Sequence, residues 1–181
     1  MAIRQPAVAG LFYPSRPDEL ERDVRKFLGE AEAGPAVGAV VPHAGYVYSG
    51  PVAGAVYARL ALPRRVIVLC PNHTALGAPA ALDPSDAWRT PLGEVPLARG
   101  LADRLLALAP ALEKDPEAHR REHSLEVQLP FLQIRRPDVE IVPVSLGEPS
   151  LALCREVGQA IATLVSEEGE PPLVLASSDM N

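Results

Sequence analysis

Three residues in this chain combine metal-binding chemistry with matching positions. His43 follows a short apolar run across Pro42, His73 follows a second across Pro71 and Asn72, and Asp179 follows a third across Ser177 and Ser178. Two neutral imidazoles and one carboxylate are the donor set of a mononuclear non-haem iron site, which keeps positions open for oxygen and substrate. Zinc accepts the same donors, and copper also suits imidazole. The expectation is therefore a divalent-metal site, iron first, held by His43, His73 and Asp179. For each histidine taken singly, capping a strand or bonding a carbonyl is the alternative. His123, between Glu122 and Ser124, is expected at a helix start, facing the same rim as a general acid or base near neutral pH, with Asp179 as its catalytic neighbour. A mere capping neighbour is the other reading. Tyr46 and Tyr48 alternate after His43, so one should line the substrate pocket with Ser178 while the other packs. Gly45 and Gly50 frame the loop after His43 and either admit a ligand to the backbone or simply make turns. His119, in an Arg-rich polar stretch, is expected at the surface.

These residues need a scaffold that brings them to one rim. The runs 37–41, 66–70 and 140–146 are short, apolar and bounded by Gly, Pro or charge, as buried strands are. A final strand is expected over 173–176. Helical spacing appears at Leu20, Val24, Phe27 and Leu28 after a Ser15 cap and Pro17, and again at Leu97, Leu101, Leu105 and Leu108. It also appears at Leu153, Val157, Ile161 and Leu164 after Ser150. A helix over 52–60 should start behind Ser49 and Pro51, and one over 124–134 should bend at Pro130. The stretch 72–96, broken by Pro79, Pro84, Pro91 and Gly93, reads as a long loop with an extra strand at 80–82. Strand and helix alternate. That order predicts one α/β domain over residues 1–181, a three-layer sandwich with a mostly parallel central sheet and helices on both faces. In such sheets ligands bind beyond the carboxyl ends of the strands, where the two histidines and Asp179 stand.

Composition sets the outer limits. The 181 residues are 48% hydrophobic and 22% charged, with a net charge of −6, which suits a globular domain and argues against a nucleic-acid or anionic-membrane surface. A small molecule or a peptide is the expected partner. The two cysteines, Cys70 and Cys154, lie in apolar segments without CxxC spacing and read as buried thiols. No leader-like or bilayer-length apolar run is present, so the expected location is cytoplasmic.

Six ordered motifs extend this reading. They are Ala9-Gly10-Leu11-Phe12-Tyr13-Pro14, Pro42-His43-Ala44-Gly45-Tyr46 with Ser49-Gly50, Pro71-Asn72-His73, Arg89-Thr90-Pro91-Leu92-Gly93, the run from Glu122 to Pro130, and Ser177-Ser178-Asp179. Together they resemble the Memo family, the B component of the AmmeMemoRadiSam set, whose fold is similar to class III extradiol dioxygenases. The resemblance implies His43 and His73 as metal ligands, Asp179 beside the metal, and His123 in the pocket wall. It also implies a possible oxidation or ring-opening activity on a small aromatic molecule, with a non-enzymatic metal- or peptide-binding module as the alternative. The family pattern continues past Ser-Ser-Asp with a histidine and, later, a ligand cysteine, whereas this sequence stops at Asn181. The resemblance therefore implies an incomplete ligand set, in a chain either cut short or completed by a companion C-terminal polypeptide, and the apolar sheet surface expected to be left exposed favours self-association or that companion.

Overall fold

The computed structural model describes residues 2–147 and 150–179. In chain order the elements are β1 (Ile3–Arg4), α1 (Pro17–Leu28), β2 (Gly38–Val41), α2 (Tyr46–Ala58), β3 (Arg65–Pro71), β4 (Ala80–Leu82), β5 (Ala87–Thr90) and β6 (Gly93–Pro96). There follow α3 (Arg99–Leu108), β7 (Glu113–Lys114), α4 (Glu117–Arg120), a 3-10 turn (Glu126–Gln128), α5 (Leu129–Arg135), β8 (Glu140–Leu146), α6 (Leu151–Glu167) and β9 (Leu173–Ser177).

Side chains alternate across a strand, and β3 shows what that does here. Val66, Val68 and Cys70 enter one core with Leu20 and Val24 of α1, Tyr57 of α2 and Phe131 of α5. Ile67 and Leu69 enter a second core with Leu101 and Leu105 of α3 and Val157 and Leu164 of α6. Helices therefore cover both faces of the central sheet, the expected three-layer sandwich. The six strands run in the order β2-β9-β3-β8-β4-β7. β2, β9, β3 and β8 are mutually parallel, while β4 pairs antiparallel with β8, so the sheet is mixed.

Several boundaries depart from the sequence reading. The stretch 72–96 is no structureless loop: β5 and β6 form an antiparallel hairpin, and β1 adds to it in parallel. Its prolines flank the short strands, and buried Trp88 and Val95 anchor them. α2 starts at Tyr46, with Gly45 as its N-cap, so Pro51 lies inside the helix and Ser49 Oγ donates to Ala44 O instead of capping. Gly50 serves packing between helices: a Cβ there would stand 2.6 Å from the Phe27 ring, and one on Gly54 would stand 2.3 Å from Phe27 O. Arg16, not Ser15, is the N-cap of α1. The helix expected over 124–134 divides into the 3-10 turn and α5, because Pro130 has no N–H to give and sits in the first turn of α5. Ser150 does cap α6, accepting from Leu153 N at 3.1 Å.

Two burial expectations reverse. His119 is fully buried, its Nε2–H donating to Ala81 O at 3.1 Å and its ring 5.7 Å from Trp88. Cys70 is buried as expected, but Cys154 is exposed on α6. Among the described residues no helix is long and apolar enough to cross a membrane.

Candidate metal centre

β2, β9 and β3 are neighbours and parallel, with Val41 opposite Ser177 and Leu69 opposite Ala176. Their carboxyl ends therefore finish within one residue of one another, β3 running one residue further. His43, Asp179 and His73 each lie two residues beyond, so the register brings all three to one rim. His123 arrives at the same rim from the segment between α4 and the 3-10 turn.

The imidazoles converge. Ring centroids are 5.2 Å apart for His43 and His73, 5.7 Å for His43 and His123, and 4.6 Å for His73 and His123. One ring nitrogen of each lies within 4.8 Å of the others. Three imidazole nitrogens spread evenly around one ion at ~2.1 Å stand at most about 3.6 Å apart, so the rings would close by up to about 1 Å for one cation to take all three. The donor set thus fits a divalent metal, with His123 supplying the third nitrogen.

Glu122 organises two of these histidines. The carboxylate is fully buried; Oε2 accepts His73 N–H at 2.6 Å, and Oε1 accepts the N–H groups of His123 and Ser124, each at 2.8 Å. His73 Nδ1 also lies 3.0 Å from Oε1. Burial alone would raise the Glu122 pKa, but the His73 ring and the backbone donors outweigh it and hold it at about 2. An anionic acceptor requires a proton on His73 Nδ1, so Nε2 is the nitrogen that a neutral ring would offer to a metal.

Asp179 approaches from the other side. Its Oδ1 accepts His43 N–H at 2.6 Å, and its Oδ2 lies 3.7 Å from His43 Nε2. Burial lowers the pKa of both His43 and His123, and their imidazole neighbours push the same way against the pull of Asp179 and Glu122. Both rings are therefore neutral at pH 7, as ligands must be.

The pocket residues separate. Tyr46 is buried in the core, its hydroxyl donating to Val127 O at 2.7 Å, whereas Tyr48 is 83% exposed on the outer face of α2. Both are helical, so the alternation of a strand does not apply. Ser178 donates its backbone N–H to Val41 O, while the side chain that reaches the centre is that of Ser177, 3.0 Å from His43 Nδ1. β9 runs one residue further than the sequence suggested, so Ser177 is the last residue of the strand and Ser178 the first beyond it. Sequence reasoning passed over Glu122, Gln128 and Ser177. Their only signal was adjacency to His123 and Asp179 within the motifs.

A family model described as Memo-like protein matches residues 4–181. MEMO1 family proteins are similar along the whole chain. That of Pyrobaculum arsenaticum is 43% identical over 100% of this chain and 69% of its own length. That of Methanosarcina barkeri is 47% identical over 98% and 67%, and that of Thermotoga petrophila 42% identical over 98% and 70%.

Proposed function

The chain belongs to the Memo-like protein family, and from that premise we propose that it holds one divalent cation between His43, His73 and His123. The convergence of three imidazoles at one rim of the sheet, two of them just beyond parallel strands, carries this reading. Iron is the metal proposed first, with zinc and copper as alternatives that imidazole equally suits. The Asp179 carboxylate at the same rim supports that order, because histidine with carboxylate and open positions is the donor pattern of non-haem iron sites.

The activity proposed is oxidoreductase chemistry of the dioxygenase-like type on a small aromatic or related molecule. A bound ion would supply a Lewis-acidic, redox-active centre. In this reading Asp179 takes a proton from an entering ligand, a role supported by its Oδ2 lying 3.7 Å from His43 Nε2. Glu122 keeps two chain segments and the His73 ring in register. His73, whose side chain is 45% exposed, leaves the rim open to an incoming molecule or peptide. We also propose the cytoplasm as the compartment, supported by two unpaired thiols.

The test is anaerobic loading with ferrous iron, followed by oxygen uptake with a panel of catechols. Uptake above that of free iron, lost in Asp179→Asn, is the expected result. Stoichiometric metal without uptake would make the protein a binding module instead.

A further inference from the structure

We propose that Ser177 is a positioning residue that fixes the tautomer of His43 and so aims its Nε2 lone pair at the metal centre. The inference rests on the metal reading above and follows from counting protons on one buried hydroxyl.

Ser177 Oγ has three partners: Ser124 O at 2.6 Å, Gln128 Nε2 at 3.0 Å and His43 Nδ1 at 3.0 Å. A hydroxyl has one hydrogen to give and two lone pairs. Ser124 O is a carbonyl and only accepts, so it takes the hydrogen. Gln128 Nε2 only donates, and so fills one lone pair. The amide cannot be turned over without cost: Oε1 accepts from Tyr57 OH at 2.9 Å, and Nε2 also donates to Pro42 O at 3.0 Å. Flipping it would set an oxygen against carbonyl oxygens. One lone pair of Ser177 remains, and only an N–H on His43 Nδ1 satisfies it.

The ring is thereby held as the Nδ1–H tautomer, with Nε2 bare. That Nε2 is the atom 3.7 Å from Asp179 Oδ2, on the open side of the site. Tyr57, Gln128, Ser177 and His43 are all buried, so water does not readily replace a missing member. His43 and His73 are thus fixed by different means: His73 by the Glu122 carboxylate, His43 by a neutral relay that runs back to α2.

The experiment reads ring ¹⁵N shifts of metal-free protein at pH 8 beside a zinc titration. In the native chain His43 is expected to carry its proton on Nδ1. Ser177→Ala should move it to a mixture of tautomers and weaken zinc binding about 10–100-fold, the usual range for losing such a partner. Ser177→Thr, which keeps the hydroxyl, should restore both. Tyr57→Phe removes a single oxygen at the far end of the relay and should shift the tautomer in the same direction, which covers the case of Ser177→Ala failing to fold. A proton on His43 Nε2 in the native chain would overturn the proposal, as would variants that leave both tautomer and affinity unchanged. Failure of the native chain to take zinc would instead overturn the metal reading, and it is read in the titration alone.

Discussion

Glu122 lies out of solvent yet keeps its charge, because backbone N–H groups of three successive or facing residues and one imidazole converge on it. The consequence falls on His73, which is held by its Nδ1 and contributes little to either core. His73→Ala should therefore abolish metal binding while changing metal-free stability by less than about 1 kcal/mol, whereas Val68→Ala, in the fully buried centre of β3, should cost about 1–3 kcal/mol and spare the metal. Denaturant melts of both variants beside metal titrations check this, and equal losses of stability would make His73 a structural residue. His43 and His123 have pKa values below the ordinary histidine value of about 6.5. The unfolded chain then binds more protons than the native one just below that pH. The stability they contribute is accordingly present above about 6.5 and lost as pH falls through their folded midpoints. Ring titrations of the metal-free protein should place both midpoints below 6.5; a midpoint above it would contradict the burial argument. His43, His73 and Asp179 were legible because each follows a strand-like run. The burial of His119 was not legible, since its Arg-rich neighbours hide that it docks on Ala81 and Trp88.

The contact of α1 with α2 fixes the helix that leaves His43, and it depends on missing Cβ atoms. Gly54→Ala would drive a methyl into Phe27 O and should destabilise the protein by about 1–3 kcal/mol, through overpacking against backbone that cannot yield. Gly158→Ala, in the exposed middle of α6 with nothing within 4 Å, should stabilise it by about 0.5–1 kcal/mol. Thermal melts of the pair measure both signs. α3 and α6 were legible from helical spacing, whereas β3 and β8 were legible as continuous apolar runs, because a strand covered on both faces buries consecutive positions. α2 was not legible to its start, since its apolar residues surround the helix and give no face from which to read a period. The β5–β6 hairpin was hidden for a different reason: its strands are four residues long, and prolines stand on either side.

The outer face of α2 presents Val47, Tyr48 and Val52 to solvent, and the helix carries no charged residue in its first or last turn. A second copy of the chain can meet that face without stripping water from an ion, so self-association is the expected outcome. Light scattering of the native chain against Val47→Glu should read a larger species converted to monomer, and a native monomer at all concentrations would contradict it. At the rim, three neighbouring strands end within one residue of one another, and a separate segment adds His123, so the candidate metal centre depends on the tertiary fold as a whole. The most direct test is metal content per chain after loading and dialysis, measured by elemental analysis on the native protein and on His43→Ala, His73→Ala and His123→Ala. The account predicts about one ion in the native protein and a loss of most of it in each variant. Retention of that ion by all three variants, or none in the native chain, would contradict it.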